Sequence, residues 1–373
     1  MPDYDAFLLV SFGGPEGPDD VMPFLRNVTR GRSIPQERLE AVAKHYHAFG
    51  GVSPINQQCR DLIAALRDGF RDAGLDLPIY WGNRNWEPYL TDTVATMAAD
   101  GVQRALAFAT SAYSSYSSCR QYLDDIERAR QQAGPGAPRI DKIRRYFNHP
   151  GFIEPFAENA RAALETLPAA VRDDAHLVFT AHSIPTAMAA SSGPPGSAAA
   201  GPGGWYVAEL TEASRLIAER VGDGSHRWQL VYQSRSGPPT QPWLEPDVLE
   251  YLGQLAESGA PAAVLIPVGF VSDHMEVRHD LDAEAAETAA DLGLPVARAA
   301  TPWYHPRFRT MITELVRERI SAPDEAGGPP GRHGTGGPVP CLALGQMGPS
   351  SDVCPPGCCV HAAGAESRET GAA

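Results

Sequence analysis

Three carboxylates at regular spacing are the residues whose pattern most directly suggests chemistry. Glu276, Asp280 and Glu284 stand at positions i, i+4 and i+8, and residues with this spacing line one face of an α-helix. Like charges so arranged repel each other, whereas an ordinary solvated face would more naturally carry basic partners at i+4. The stripe therefore favours a cation-binding role over the alternative, an ordinary acidic helix surface.

A histidine at the end of a predicted strand is the second candidate. His182 lies in the segment TAHSIP, directly after the apolar run 176–180. A lone histidine in such a place is more often structural, but imidazole binds metals and accepts protons near neutral pH. Imidazole and carboxylate together suit a divalent metal such as Fe²⁺. His182 and the carboxylate stripe together therefore favour a divalent-metal site.

The cysteines are concentrated near the C-terminus. Cys354, Cys358 and Cys359 lie within the last twenty residues, and twelve residues separate Cys341 from Cys354. In a reducing compartment, thiolates at such spacing suit zinc or an iron–sulfur cluster better than disulfides. Cys59 lies in a predicted helix and is expected to be a buried apolar residue.

Alternating strands and helices must position these groups. Strands are predicted at 7–12, 79–82, 105–110, 140–147, 176–180, 229–233, 263–268 and 296–300, with helices between them that include 36–49, 56–73 and 274–290. This βαβ succession predicts an α/β fold of two doubly wound, Rossmann-like lobes with parallel sheets and a cleft between them. Such sheets bind ligands beyond the carboxyl ends of their strands, which is where His182 stands.

The chain is expected to divide into three parts. Residues 1–150 form an N-terminal α/β lobe, 151–321 form a C-terminal α/β lobe that carries His182 and Glu276, and 322–373 form a flexible tail that carries the clustered cysteines. The segment 191–204 is rich in Gly, Pro, Ser and Ala, and it is predicted to be a flexible surface insertion.

Composition narrows the class of protein. The 373 residues carry a formal net charge of −14, which argues against a nucleic-acid partner because phosphate recognition needs a basic field. An anionic ligand would need a local basic patch. No apolar run approaches the roughly 20 residues of a membrane span, and the first residues lack the pattern of a signal peptide, so a cytoplasmic protein is expected.

Four motifs together resemble the ferrochelatase family. They are FGGVSPIN at 49–56, TAHSIP at 180–185, YQSRSGPPTQPWLEPD at 232–247 and GFVSDHMEV at 269–277, and the similarity runs in order from about residue 8 to residue 315. The resemblance implies a two-lobed chelatase fold and a lyase that inserts Fe²⁺ into a porphyrin with release of two protons. It implies further that His182 and Glu276 are the catalytic and metal-site pair and that Asp280 and Glu284 form a path for protons or metal. Which member of the pair holds metal and which accepts protons is left open.

The resemblance also places porphyrin contacts in the first lobe. Ser53 and Tyr122 match positions that contact the porphyrin or its carboxylates in similar enzymes, although Ser53 could equally belong to a structural turn. Arg30 and Arg32 supply a basic patch for a polyanionic porphyrin, with a solvated loop as the alternative. Phe12 stands where some relatives carry a tyrosine that faces the metal, and a phenylalanine is unable to ligate.

Ferrochelatases of the actinobacterial type, which this chain resembles, hold a [2Fe–2S] cluster with three tail cysteines and one internal cysteine. Cys119 matches the internal ligand. The expected set is Cys119, Cys341, Cys354 and Cys359, with Cys358 as a possible substitute for Cys359.

The same resemblance implies coproporphyrin III as the substrate and Fe-coproporphyrin III (coproheme) as the product in haem biosynthesis. Coproporphyrin carries four propionates and protoporphyrin two, so the more polar substrate agrees with Arg30 and Arg32. The alternatives are a protoporphyrin IX ferrochelatase and a non-catalytic tetrapyrrole or iron carrier. The protein is expected to act as a monomer, without a nucleic-acid or membrane-spanning partner, and to pass its product to a downstream enzyme of the pathway.

Overall fold

The computed structural model describes residues 4–31, 34–196, 201–237, 240–322 and 339–360. Its first lobe is built on a parallel sheet with the strand order β2-β1-β3-β4. The strands are β1 (Ala6–Ser11), β2 (Ile79–Asn83), β3 (Arg104–Ala109) and β4 (Arg139–Lys142). The helices of this lobe are α1 (Val21–Val28), α2 (Gln36–Ala48), α3 (Ile55–Asp72), α4 (Leu90–Ala99) and α5 (Gln121–Ala133). A π-helical turn at Tyr116–Arg120 precedes α5.

The second lobe repeats the plan with the parallel order β6-β5-β7-β8. Its strands are β5 (His176–His182), β6 (Trp228–Gln233), β7 (Ala263–Ile266) and β8 (Val296–Arg298). The helices are α6 (Pro150–Thr166), α7 (Ala169–Arg172), α8 (Thr186–Ala190), α9 (Gly204–Ala218), α10 (Val248–Glu257), α11 (Met275–Val277), α12 (Ala285–Asp291) and α13 (Pro306–Ser321). The predicted α/β fold of two parallel-sheet lobes is therefore confirmed.

The two lobes share one apolar core. A single cluster of buried side chains runs from Phe7 and Phe108 under the first sheet to Phe179 and Val264 under the second. Helix α13 closes this core because it packs on both α6 and α3. Burial of aromatic side chains on this scale holds the lobes in a fixed relation.

The predicted helix 274–290 is present, but its middle is not α-helical. Residues Met275–Val277 are α-helical, Arg278–Glu284 form a π-helix, and Ala285–Asp291 return to α geometry. A π segment pairs residue i with i+5 and is frequent at functional sites. The carboxylate stripe therefore does not keep the strict α-helical phase that its spacing predicts.

Part of the C-terminal tail is packed against the body. The Leu344 N–H donates to the carbonyl of Asn148 at 2.8 Å, and the Asn148 side chain donates to the carbonyl of Gly348 at 2.7 Å. Arg144 Nη2 donates to the carbonyl of Leu342 at 2.9 Å. These bonds attach residues 342–348 of the tail to the body. Among the described residues, no helix is long and apolar enough to cross a membrane.

Candidate functional site

His182 is the last residue of β5, at the carboxyl edge of the second sheet. Its ring Nδ1 is hydrogen-bonded to the backbone carbonyl of Ser183, so Nδ1 carries a proton and Nε2 points away from the backbone. Nε2 lies 3.4 Å from Oε1 of Glu276. The structure therefore brings together the two residues that the sequence predicts as a pair.

Glu276 reaches His182 from the short helix α11. His274 caps this helix, with its side chain accepting from the N–H of Val277 at 3.4 Å. The side chains of His182 and Glu276 remain 34% and 43% exposed, so a ligand in the cleft can reach both. Such a half-open pair suits a site that exchanges metal and protons.

Charge pairing sets the protonation of these two groups. Burial alone would lower the pKa of His182, but the Coulomb attraction and hydrogen bond of Glu276 raise it to about 9. Burial opposes ionisation of Glu276 as well, yet His182 holds the pKa of Glu276 below its usual range. The pair is therefore an imidazolium and a carboxylate at neutral pH.

Asp280 lies behind Glu276 in the π segment. Gln233 Nε2 donates to its Oδ2 at 3.0 Å, and the Ser234 hydroxyl donates to the same oxygen. Burial, together with the negative charge of Glu276, raises the pKa of Asp280 to about 6 in spite of these bonds. Ser234 has a φ of 62°, a conformation uncommon outside glycine, and such strain gathers at functional sites.

Glu284 continues the line of acidic groups through a histidine. His279 Nδ1 lies 3.4 Å from Oδ1 of Asp280 and 3.7 Å from Oε2 of Glu284. Their ligand atoms all fall within 4.8 Å of one another, the spacing of a potential metal site. His45 of α2 stacks on His279 with ring centroids 3.8 Å apart, so the first lobe covers this end of the line.

The porphyrin contacts expected in the first lobe have different surroundings. Phe12 is 36% exposed, whereas Ser53 and Tyr122 are 5% and 4% exposed. The guanidinium of Arg84 lies over the rings of Phe12 and Tyr122, with its Cζ 5.8 and 4.7 Å from their centroids. Arg30 is exposed at the end of α1. Arg32 falls outside the described residues.

Four of the cysteines are linked by pairwise contacts, and Cys341 has a different partner. Cys119 and Cys354 share a hydrogen bond, as do Cys354 and Cys358, and the sulfurs of Cys358 and Cys359 are 3.8 Å apart. Cys341 is exposed, and its thiol is hydrogen-bonded to Glu318 instead. Among the described residues, however, no three cysteine sulfurs lie within 4.8 Å of one another, so the cluster ligands stay a prediction. Cys59 is buried, as predicted.

Sequence reasoning did not single out four residues that shape the site, namely Gln233, Ser234, His279 and Tyr206. Gln233 ends β6 and Ser234 follows it. Both belong to the YQSRSGPP motif, so the rule that ligands bind at strand ends could have found them. His279 lies between Glu276 and Asp280 in the sequence, and no separate pattern marks it. Tyr206 OH donates to the backbone carbonyl of His182 at 2.8 Å, and no sequence signal predicts a contact across that separation.

Comparisons with known proteins identify the family of this chain. The family model described as Ferrochelatase matches residues 4–320. A "Coproporphyrin III ferrochelatase" of Streptomyces coelicolor is 55% identical over 371 residues, covering 96% of this chain and 96% of its own. A protein of the same name from Streptomyces griseus subsp. griseus is 54% identical, covering 95% and 93%.

A solved structure supports the fold alone. SirB from Bacillus subtilis with Fe3+ is 13% identical and aligns with a TM-score of 0.51 over 88% of this chain and 100% of its own. The family assignment depends on the sequence matches, which extend over nearly the whole chain. The chain belongs to the ferrochelatase family.

Proposed function

We propose that the protein inserts Fe²⁺ into coproporphyrin III and releases Fe-coproporphyrin III in haem biosynthesis. The contact of His182 with Glu276 at the carboxyl edge of the second sheet carries the proposal. It is supported by relatives named coproporphyrin III ferrochelatase that match over 96% and 95% of the chain. The reaction exchanges two pyrrole protons for one metal ion, so the site must accept protons and hold a cation.

The charges of the pair suggest how the substrate metal enters. At neutral pH the proton on His182 Nε2 occupies the space that faces Glu276, because the carboxylate raises the pKa of the imidazole to about 9. An arriving Fe²⁺ binds the same carboxylate and imidazole and displaces that proton, which passes through Asp280 to solvent. One of the two groups then holds the metal and the other accepts the two pyrrole protons in turn, and these protons leave by the same route.

Asp280 and Glu284 are proposed as the route to this pair. His279 bridges the two carboxylates at 3.4 and 3.7 Å, so protonatable groups follow one another from Glu276 outward. The pKa of Asp280, raised to about 6, lets this carboxyl take up and release protons near neutral pH. The route therefore suits both leaving protons and an incoming cation.

The porphyrin side of the cleft is proposed to include Phe12, Ser53, Tyr122 and Arg30. Phe12 offers an exposed aromatic face that is held at 6.3 Å in an edge contact with Phe24. Arg30 is an exposed cation in a chain with a net charge of −14, and it could pair with a propionate. Such a cation strengthens the binding of a substrate with several propionates more than that of an apolar substrate.

We further propose that the linked thiols hold a [2Fe–2S] cluster through Cys119, Cys354, Cys358 and Cys359. The donor chemistry fits, because hydrogen bonds from Cys119 and Cys358 and the charges of Lys142 and Arg145 lower the pKa of Cys354 and favour a thiolate. This set replaces Cys341 of the sequence-based prediction with Cys358. When bound, the group would supply a one-electron redox centre and a cross-link between tail and body.

Anaerobic insertion of Fe²⁺ into coproporphyrin III and protoporphyrin IX, assayed side by side, tests the main proposal. The expected result is turnover of coproporphyrin III at a kcat/KM at least about tenfold higher. Faster turnover of protoporphyrin IX would make the protein a protoporphyrin ferrochelatase, and binding of either porphyrin without metallation would make it a carrier. His182→Ala is the control, because it should abolish insertion and retain porphyrin binding.

The protein is also proposed to act as a cytoplasmic monomer that passes coproheme to a downstream enzyme. Light scattering of the purified protein tests the monomer, and fractionation of the producing cells tests the cytoplasmic location. A dimer, or recovery in the membrane fraction, would contradict them.

A further inference from the structure

Two hydrogen bonds hold the peptide unit that joins His182 to Ser183, and a third holds the Ser183 side chain. Tyr206 OH donates to the His182 carbonyl at 2.8 Å, Ser183 N–H donates to the Gln233 carbonyl at 2.8 Å, and Ser183 Oγ donates to the Leu244 carbonyl at 2.9 Å. The imidazole is itself bonded to the Ser183 carbonyl. The direction of Nε2 therefore depends on how rigidly this peptide unit is held.

Tyr206 differs from the other two partners because it comes from a helix and not from the sheet or its loops. It lies in the first turn of α9, and its side chain is 4% exposed. Burial raises the pKa of its hydroxyl, so the phenol stays protonated and donates its hydrogen to the carbonyl. Any displacement of α9 is thus transmitted to the residue that faces Glu276.

Helix α9 is braced one turn further on by a buried acid. Glu209 accepts from the N–H and hydroxyl of Ser114 at 2.6 and 2.8 Å and from Arg145 Nε at 3.1 Å. Arg145 Nη1 in turn lies 3.9 Å from the sulfur of Cys354. Glu209 stands three residues after Tyr206, so the two side chains share one face of α9. This face is therefore connected through Arg145 to Cys354.

The start of α9 is held by the same part of the tail. Tyr206 N–H donates to Ser192 Oγ at 2.8 Å. The next residue, Gly193, donates its N–H to Cys359 Sγ at 3.1 Å and accepts the Cys359 N–H at 3.1 Å. Ser192 and Gly193, which lie in the segment predicted to be a flexible insertion, therefore bind the first turn of α9 and Cys359 respectively. We call these two residues the clamp.

From these contacts we propose that Tyr206 is a positioning residue for metal insertion, which fixes His182 and connects it through α9 to the docked tail cysteines. This inference rests on the proposed function only in its kinetic part. The connection between tail and His182 is a property of the fold and is measurable without turnover.

The kinetic test compares two matched tyrosines. Tyr206→Phe removes the bond to His182, and kcat is expected to fall about five- to tenfold, the effect of one hydrogen bond, with the KM for coproporphyrin unchanged. Tyr146→Phe is the control, because its equally buried hydroxyl donates to the Ala109 carbonyl in the first lobe at 3.0 Å. Its kcat should stay within about twofold of the wild type. Equal losses in the two variants, or a change in KM alone, would overturn the positioning role.

Hydrogen–deuterium exchange tests the connection to the tail. Cys359→Ser should speed exchange of the Ser183 amide at least about threefold relative to the wild type, and should add little in a Tyr206→Phe background. Cys341→Ser, at the exposed cysteine, should leave that amide unchanged. Unaltered exchange in Cys359→Ser, or an equal increase in both backgrounds, would refute the connection even if iron insertion itself is confirmed. Absence of insertion by the wild type would count against the proposed function alone.

Discussion

Gln233 Nε2 donates to Asp280 Oδ2 at 3.0 Å, which ties the end of β6 to the π-helical segment beside Glu276. This bond and that of Ser234 lower the pKa of Asp280, but burial and the charge of Glu276 outweigh them and raise it to about 6. This carboxyl titrates nearer to neutral pH than either His182 or Glu276 does. Its ionisation should therefore be visible in the pH dependence of the reaction.

Replacement of that carboxyl should remove the acidic limb of the rate profile. In the wild type, kcat/KM should rise with pH through about 6 as Asp280 ionises. Asp280→Asn has no proton to lose, so its profile should be flat in that range and its plateau about tenfold lower. The profile is measured from about pH 5 to 8. Asp282→Asn, which removes the exposed partner of Arg298, is the control and should keep the acidic limb. If the limb persists in Asp280→Asn, a group other than Asp280 causes it.

Glu276→Gln should separate catalysis from porphyrin binding. Without the carboxylate, the pKa of His182 should fall from about 9 toward its usual 6.5, and insertion should fall at least about 100-fold. Porphyrin affinity, measured by fluorescence quenching, should change less than about twofold. Glu287→Gln, an exposed acid on α12, is the matched control. Near-normal insertion by Glu276→Gln would remove this residue from the site.

The same variant has a predicted pH signature in stability. A histidine whose pKa is raised on folding contributes stability below about pH 6.5, and this contribution is lost as the pH rises through about 9. Glu276 contributes above its unfolded pKa of about 4.5 and loses that contribution as the pH falls. The stability difference between wild type and Glu276→Gln should therefore be largest between about pH 4.5 and 6.5 and should vanish above about pH 9.

The eight strands could be predicted from the sequence, and the pairing of His182 with Glu276 from its resemblance to ferrochelatases. Apolar runs mark buried strands, and parallel strands present their carboxyl ends at one edge, which is where His182 lies. The periodicity of the carboxylates could not reveal the π segment. A single extra residue in a helical turn changes backbone bonding without changing which side chains are polar.

Amino-acid composition could not predict that the tail packs against the body, for a different reason. Gly and Pro lower the number of apolar side chains and suggest flexibility, but residues 342–348 are fixed by backbone carbonyls and N–H groups that every sequence offers. The partners, Arg144 and Asn148, lie nearly two hundred residues earlier in the chain. Contacts between a backbone and a remote polar side chain leave no local pattern.

Two serine substitutions should distinguish the cluster ligands. Protein purified without oxygen should show the visible absorption of a [2Fe–2S] centre, and Cys358→Ser should lose most of it because this thiol lies beside those of Cys354 and Cys359. Cys341→Ser should keep the absorption, since its thiol is exposed and bonded to Glu318. The opposite outcome would restore Cys341 to the ligand set, and a colourless wild type that contains no iron would exclude the cluster.

A side chain at position 193 should not be tolerated, because the N–H and the carbonyl of Gly193 both form hydrogen bonds with Cys359. Its φ is +92°, and a Cβ there would lie 2.0 Å from the indole of Trp205, so Gly193→Ala combines backbone strain with a steric clash. Gly196 shares a positive φ of +73° but has open space around it, which makes Gly196→Ala a control for strain alone. In urea unfolding, Gly193→Ala should lose at least about 2 kcal/mol and Gly196→Ala about 1 kcal/mol. Gly193→Ala should also expose Cys359 to thiol reagents, because the clamp that buries it is displaced. Equal destabilisation of the two variants, with Cys359 still protected, would show that the clamp tolerates the added methyl group.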